Sequence, residues 1–210
     1  MSHRFDEDEF RTLAPHRLYG SPPEIASRSD DDLNPEARMI PADEAPRPAA
    51  VLVPLVMRQG ALHMLLTQRQ PHLRRHAGQV AFPGGRMDET DTGPLAAALR
   101  ETEEETGILP SFVEPIGFLD TYLTSTNYRV MPVVGLLRPG FTVTPQQEEV
   151  ADVFEVPLAF LMNPQHHERH SREWQGRERH YYAMPWQGRY IWGATAGMIR
   201  NLYALLYERP

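Results

Sequence analysis

The sequence predicts an α/β protein, namely an α/β/α sandwich around a mixed central sheet. Short apolar runs typical of strands alternate with segments of helical periodicity, and this alternation is what such a sandwich requires. The 210 residues suit one folded domain with a sizeable core. No internal repeat interrupts the pattern, so we treat the chain as a single α/β unit with an N-terminal extension.

The first 47 residues differ from the rest, and the predicted domain runs from 48 to 210. Phe5 to Leu13 predicts a short amphipathic helix. Ser21 to Pro48 is rich in Pro, Asp and Ala, which is typical of an extended arm or linker. The sequence leaves open whether this arm packs on its own domain or on a partner subunit, and it leaves a homodimer open.

From Ala49 onward the pattern becomes strand-like, with a turn predicted at Gln59-Gly60. The predicted strands are Ala50 to Arg58, Ala61 to Gln68, Val80 to Phe82, Ile116 to Asp120, Tyr128 to Leu137 and Asp152 to Val156. The later elements are a short helix over Pro157 to Met162, a hairpin of Arg179 to Met184 with Tyr190 to Trp192, and a closing amphipathic helix over Ala194 to Tyr207.

A helix is predicted over about residues 92–106, and it carries the most informative residues. It begins near Thr92 or Gly93, because Pro94 costs no hydrogen bond in a first turn. It ends at Gly107, which readily adopts the left-handed conformation. At about 100° per residue, one apolar stripe should face the core; its members are Leu95, Ala98, Leu99, Thr102 and Thr106.

This helix carries four glutamates within five positions. Like charges at this density repel by roughly a few tenths of a kcal/mol per i,i+4 pair, unless a cation lies on them. Glu101 and Glu105 project to the same flank, Glu104 lies within reach of Arg100, and Glu103 points away. Mg²⁺ prefers oxygen ligands and is held by one or two carboxylates plus phosphate. On the glutamates alone, a solvated acidic face explains the pattern equally well.

Gly84 and Gly85 favour the metal-site interpretation, since glycines let a backbone approach a ligand closely. The segment Gly85 to Ile108 resembles the Nudix box. The matching residues are Arg100, Glu101, Glu104, Glu105, Gly107 and Ile108. The segment departs from the box at Asp91, where the box has Glu, in the eight rather than seven residues before Arg100, and at Thr102, where the box has an aliphatic residue.

A second signature lies upstream and is similar to that of coenzyme A diphosphatase-type Nudix hydrolases. It comprises Leu65 to Arg69, Arg74, Gly78 and Phe82 to Gly85, with Gln70 where that pattern has Ser. The extra residue in the box loop and the segment Ile191 to Ala196 also resemble this subgroup.

The resemblance implies a metal-dependent hydrolase that cuts a diphosphate bond with Mg²⁺ or Mn²⁺. The implied metal ligands are Glu101 and Glu105, Glu104 in support, and the Gly84 carbonyl. The implied catalytic residues are Glu104, Arg100 as a positioning group, and Glu149 (with Glu148 as alternate) as a base or ligand. The candidate substrate contacts are Arg69, Arg74, Gly85 and Trp192.

Several of these residues also have structural explanations. Arg69 and Arg74 suit a diphosphate or a 3′-phosphate, because guanidinium groups bind phosphate bidentately, whereas Arg75 is interpreted as a solvated edge. Trp192 is interpreted as either a core residue or an adenine-stacking residue. The run His166 to His170 favours a mobile polar loop over a zinc site, since no defined set of three or four ligands accompanies it.

Composition restricts the partners. The formal net charge of −7 gives no basic field for nucleic acid or an anionic membrane. There is no cysteine, which excludes disulfides and thiol catalysis. The apolar run Val51 to Met57 is far shorter than the roughly 18 residues of a membrane span, and the N-terminus lacks the plan of a signal peptide. We therefore expect a soluble cytoplasmic protein with a small-molecule substrate.

Three functions compete. The favoured one is hydrolysis of coenzyme A or acyl-CoA to 3′,5′-ADP and 4′-phosphopantetheine or its acyl form. The second is the same chemistry on another nucleoside diphosphate, such as ADP-ribose, an NDP-sugar or NADH. The third is a Nudix-fold binding module without catalysis, against which the intact Glu101, Glu104 and Glu105 argue.

Overall fold

The computed structural model describes residues 3–36, 38–40, 43–174 and 176–208. The helices are α1 (Glu7–Arg17), α2 (Pro94–Thr106), α3 (Leu158–Leu161) and α4 (Gly193–Tyr203). The strands are β1 (Arg28–Ser29), β2 (Arg47–Arg58), β3 (Ala61–Arg69), β4 (Val80–Ala81), β5 (Gly84–Arg86), β6 (Val113–Phe118), β7 (Tyr122–Leu123), β8 (Tyr128–Leu137), β9 (Val150–Pro157), β10 (Glu168–Trp174), β11 (Arg177–Trp186) and β12 (Arg189–Trp192). A π-helical turn, Ala204–Glu208, follows α4.

A mixed sheet forms the centre of the molecule, with the strand order β1-β7-β8-β2-β3-β4. Strand β2 runs parallel to β8 over ten residue pairs, from Arg47 opposite Tyr128 to Val56 opposite Leu137. It runs antiparallel to β3 and β5, and β9 adds to β3. The strands β10, β11 and β12 form a separate antiparallel sheet.

Helices cover both faces of the central sheet. Successive side chains of β2 point to opposite faces, so its residues contact the helices on each side. Val53 and Leu55 belong to one core cluster, together with residues of α1, α3 and α4. Leu52 and Val56 belong to the other cluster, which they share with Ala97 and Ala98 of α2. The predicted α/β/α sandwich is therefore confirmed.

Most predicted elements are confirmed, with shifts of a few residues at their ends. The helix predicted over Phe5 to Leu13 is α1, which begins at Glu7 and ends at Arg17. The side chain of Asp6 accepts a hydrogen bond from the Glu9 N–H and so caps it. Phe10 and Ala14 on this helix are fully buried, so α1 belongs to the packed core.

The described residues of the N-terminal arm contact the domain of the same chain; residues 37, 41 and 42 lie outside the described ranges. Ser27 Oγ donates to Asp120 Oδ1 at 2.7 Å. Asn34 Nδ2 donates to the His180 carbonyl at 2.9 Å, and β1 pairs with β7. The division at residue 48 and a homodimer stay predictions.

The loop predicted for His166 to His170 is wrong. A 3₁₀ turn ends at His166, and β10 begins at Glu168. The ring of His166 stacks on Phe160 at 4.0 Å between centroids, and His167 Nε2 lies 2.7 Å from the Leu161 carbonyl. These contacts and the pairing of β10 with β11 order a segment that is polar by composition. Within the described ranges, no helix is long and apolar enough to cross a membrane.

Candidate active site

Helix α2 presents its glutamates in two different environments. It begins with Pro94 and ends at Gly107, whose φ of 73° is left-handed, as predicted. Thr102 and Thr106 of the predicted stripe are fully buried. Leu95 and Leu99 are partly buried against the same core. Glu103 and Glu104 are exposed, whereas Glu105 is only 7% exposed.

Strand β5 brings two glycines against the buried side of α2. The Gly84 N–H donates to Glu105 Oε2 at 3.3 Å. A Cβ on Gly85 would lie 2.5 Å from Glu101 Oε2, and a Cβ on Gly84 would lie 2.5 Å from the Ala50 carbonyl oxygen. Only glycine therefore fits at position 84, where the clash is with backbone atoms, whereas a Cβ at position 85 would displace the Glu101 carboxylate. The glycine pair lets the backbone approach both carboxylates directly.

Arg100 connects the acidic groups around the start and middle of α2. Its Nε and Nη2 donate to the two oxygens of Asp91 at 3.1 and 3.0 Å. Its Nη1 donates to Glu101 at 2.9 Å and to Glu104 at 3.2 Å. The Asp91 bonds are the main reason that the pKa of Arg100 lies above its ordinary value. They also lower the pKa of Asp91.

The contact between Asp91 and Arg100 was missed from the sequence, where Asp91 counted as a departure from the box. The eight residues between Asp91 and Arg100 do not determine where the Asp91 side chain lies, so the contact could not be predicted from the sequence. A bidentate hydrogen-bonded pair of this kind fixes the position and orientation of the guanidinium. Asp91 thus anchors Arg100, and Arg100 in turn orients Glu101.

Arg69, at the end of β3, lies between two carboxylates. Its Nη1 is 3.7 Å from Glu105 Oε1, and its Nη2 is 3.9 Å from Glu149 Oε2. The loop that carries Glu149 is fixed by a backbone bond, since the Gln70 N–H donates to the Glu149 carbonyl at 2.8 Å. Pairing of β3 with β9 places Arg69 opposite Val150. The structure therefore brings Glu149 next to the Glu105 side of α2.

Burial raises the pKa of both inner glutamates, Glu105 and Glu101. It raises the pKa of Glu105 to about 7, although the Gly84 N–H and Arg69 act in the opposite direction. The neighbouring Glu101 and Glu149 raise the pKa of Glu105 further. Burial also raises the pKa of Glu101, against the lowering effect of Arg100. A raised pKa means that the surroundings stabilise the ionised carboxylates poorly, so a bound cation would stabilise them.

These donors fit a hard divalent cation. Glu101 and Glu105 supply carboxylate oxygens beside a backbone without side chains, and their raised pKa values leave charge for a cation to stabilise. Mg²⁺ is usually held by one or two carboxylates with substrate phosphates completing the set. In the part of the chain that is described, no three Asp, Glu or His side chains are arranged to hold an ion by themselves.

The remaining predicted substrate residues lie further out. Arg74 is exposed in the loop between β3 and β4. Trp192 is half-buried and is not a core residue. Its ring lies 5.2 Å from that of Tyr181 between centroids and under the guanidinium of Arg172 at 4.7 Å. It lines a cavity of about 610 Å³.

Comparison with known proteins identifies the family to which this fold and its carboxylate site belong. The family model described as NUDIX domain matches residues 46–187. This is more than half of the chain, so the chain belongs to the Nudix family. As a Nudix hydrolase it acts on the pyrophosphate bond of a nucleoside diphosphate derivative and needs a divalent metal ion.

Curated relatives match over most of their length. The protein called uncharacterized Nudix hydrolase NudL from Escherichia coli O7:K1 (strain IAI39 / ExPEC) is 46% identical over 165 residues, which cover 78% of this chain and 85% of that protein. The protein of the same name from Escherichia fergusonii is 44% identical over 164 residues, with the same shares covered.

Solved structures match more distantly. A Caenorhabditis elegans Ap4A hydrolase binary complex has a TM-score of 0.47 and 23% identity, and it covers 53% of this chain and 80% of its own. The NUDIX domain of Shewanella oneidensis NrtR, crystallised with ADP ribose, has a TM-score of 0.43 and 25% identity, and it covers 56% of this chain and 77% of its own.

Proposed function

We propose that this Nudix hydrolase cleaves the diphosphate bond of coenzyme A or acyl-CoA, with Mg²⁺ or Mn²⁺, to 3′,5′-ADP and 4′-phosphopantetheine or its acyl form. One observation carries the proposal. Residues 65–85, which resemble the coenzyme A diphosphatase signature, contact the carboxylates of α2 directly. Arg69 lies 3.7 Å from Glu105, and Gly84 donates to the same side chain. The substrate signature and the chemistry therefore share one site.

Arg69 is suited to hold the diphosphate. Its distances of 3.7 and 3.9 Å to Glu105 and Glu149 exceed hydrogen-bond length. Its Nε is buried and has no hydrogen-bond partner among the described residues. A buried donor without a partner is costly, and a phosphate oxygen would satisfy it. The guanidinium can also bind a diphosphate bidentately, which a lysine could not do.

The acidic residues divide the remaining work. Glu101 and Glu105 are the proposed principal ligands, with the Gly84 carbonyl and the more exposed Glu104 in support. A divalent cation held there supplies positive charge that offsets the charge developing on the phosphate oxygens and polarises the attacking water. Arg100 keeps Glu101 in place through its bonds to Asp91. Glu149, across Arg69, is the proposed acceptor of the water proton.

The test is a product assay by mass spectrometry, with CoA, an acyl-CoA, dephospho-CoA, ADP-ribose and NADH as substrates and Mg²⁺ or Mn²⁺ added. We expect CoA or acyl-CoA to be cleaved with a kcat/KM at least about tenfold above that of ADP-ribose, a difference of about 1.4 kcal/mol in transition-state stabilisation. Equal or faster cleavage of ADP-ribose or NADH would support the second function. No cleavage of any substrate would support a binding module.

Two arginine variants sharpen this assay. Arg69→Gln should raise the KM for CoA, because it removes the proposed diphosphate donor. Arg58→Gln is the matched control. Arg58 pairs with Glu155 at 2.8 Å on β2 and β9 and has no part in the proposed site. An equal effect of both variants on KM would contradict the role given to Arg69.

A further inference from the structure

A cavity of about 610 Å³ lies between the N-terminal arm, the small sheet and α4. This volume lies within the range of small-molecule sites, roughly 300–1,000 Å³. Among the described residues that line it, none is a glutamate of α2. Its walls come from three separate parts of the chain, and hydrolysis as described above assigns no role to most of them.

One wall joins aromatic rings to an arginine. The guanidinium of Arg172 lies 4.7 Å from the Trp192 ring centroid and 5.1 Å from that of Trp174. The Tyr181 ring meets Trp192 edge-on at 5.2 Å. In the described ranges Arg172 forms no ion pair with a carboxylate, so its charge is offset only by π faces. Trp174 is 45% exposed, although large aromatic side chains are usually buried.

The N-terminal arm supplies a second cation to the lining of the cavity, Arg28. Arg28 lies 3.9 Å from Asp120, beyond hydrogen-bond length, and its buried Nε has no partner among the described residues. The acidic residue Asp30 is already satisfied there, because it accepts hydrogen bonds from the Tyr122 hydroxyl at 3.0 Å and the Ser125 N–H at 2.7 Å. Aromatic faces beside incompletely paired arginines suit an aromatic base that carries phosphate.

The cavity adjoins the carboxylate site through one segment. His76 and Gln79 line the cavity, and the Gln79 carbonyl accepts from the Arg69 N–H at 2.9 Å. At the base of α4, the Thr195 hydroxyl donates to the Val80 carbonyl at 3.2 Å. Gly84 follows Val80 by only four residues, so the two residues are at most about 13 Å apart along an extended chain. A ligand with its diphosphate at the carboxylates can therefore extend one end into the cavity.

We propose that this cavity binds the adenosine 3′-phosphate end of the substrate. The adenine lies against Trp192 and Trp174, and Arg172 and Arg28 hold the phosphate monoester. The proposal rests on the function proposed above and adds a specificity site to it. The ligand chemistry is an adenine nucleotide with a terminal phosphate, whether it is the substrate end or the released product.

Binding is tested with adenosine 3′,5′-bisphosphate as the probe, by tryptophan fluorescence on the full chain in EDTA. We expect saturable quenching by the bisphosphate and at least about tenfold weaker binding of adenosine. Arg172→Gln should weaken bisphosphate binding about tenfold or more, and Trp192→Leu should remove most of the quenching. Circular dichroism and thermal unfolding verify that both variants fold.

Arg169→Gln is the matched control, because it removes the same charge from β10 on the opposite face of the strand. It should keep wild-type affinity. Absence of quenching, or equal affinity of Arg172→Gln and the wild type, would overturn the proposal. So would 4′-phosphopantetheine that displaces the bisphosphate, since the cavity would then hold the other end of the substrate.

Kinetics separate this proposal from the proposed function. Arg172→Gln should raise the KM for CoA more than it changes kcat, and it should reduce the preference for CoA over dephospho-CoA. If wild-type protein binds the bisphosphate but does not cleave CoA, the hydrolase proposal fails and nucleotide binding by the cavity stands. If it cleaves CoA but the bisphosphate does not bind, the cavity proposal alone fails.

Discussion

Replacing Glu105 with Gln should stabilise the metal-free protein at alkaline pH while it abolishes turnover. Glu105 is 7% exposed, and burial raises its pKa from 4.5 to about 7. A carboxyl whose pKa rises on folding contributes stability below the unfolded pKa, and that contribution is lost as pH rises through the folded pKa. The wild type should therefore lose stability between pH 4.5 and about 7, and the amide should not.

The size of the effect follows from the two pKa values. At 1.36 kcal/mol for each pKa unit, the difference between 4.5 and about 7 corresponds to about 3 kcal/mol once the group is ionised in both states. The free energy of unfolding of Glu105→Gln should thus exceed that of the wild type by about 3 kcal/mol at pH 8, and by less than about 1 kcal/mol at pH 5. Urea unfolding in EDTA, followed by circular dichroism, measures both.

Added Mg²⁺ should offset most of the difference in stability between Glu105→Gln and the wild type at pH 8. A metal at about 100 times its Kd stabilises a folded protein by about 2.7 kcal/mol, and only the wild type should gain this. Glu103→Gln is the matched control, since its side chain is exposed on the same helix; it should keep wild-type turnover and metal response. A Glu105→Gln variant that is less stable than the wild type at pH 8 in EDTA, or that retains the Mg²⁺ response, would exclude Glu105 as a buried metal ligand with a raised pKa.

Two further substitutions probe the groups next to Glu105. Gly85→Ala places a Cβ 2.5 Å from Glu101 Oε2, so turnover should fall about tenfold or more. Gly20→Ala is the control and should keep wild-type turnover, because nothing lies within 4 Å of its added Cβ. Steady-state assays of the folded variants measure both, and equal rates would contradict the close approach of Gly85 to Glu101. Glu149→Gln should lower kcat about 10²–10⁴-fold, whereas Glu148→Gln should keep the wild-type kcat; a kcat of Glu149→Gln equal to that of the wild type would exclude Glu149 as the base.

Local patterns were sufficient to predict much of the fold. The alternation of β2 and the glycine stop of α2 depend on neighbours in sequence, and both elements form as predicted. The strand Tyr128–Leu137 has the predicted bounds. In contrast, the segment from His166 onward is polar, and its order comes from contacts of His166 and His167 with Phe160 and Leu161 and from the pairing of β10 with β11, which sequence periodicity does not predict.

The site was predictable in composition but not in its pairings. The box motif identified the glutamates, and helical projection separated Glu103 from the others. The contact of Arg69 with Glu105 depends on the register of β3 and on the path of the loop before β9. The cavity at Trp192 depends on the return of the arm across the small sheet, which no local pattern encodes.

Hydrolysis of the CoA diphosphate at the carboxylates of α2 is tested directly by incubating CoA in ¹⁸O water with Mg²⁺ or Mn²⁺ and analysing the products by mass spectrometry. We expect the wild type, but not Glu105→Gln, to form 3′,5′-ADP and 4′-phosphopantetheine with one ¹⁸O atom in one of the two phosphates. Intact CoA after incubation with the wild type, or equal product from Glu105→Gln, would contradict hydrolysis at these carboxylates.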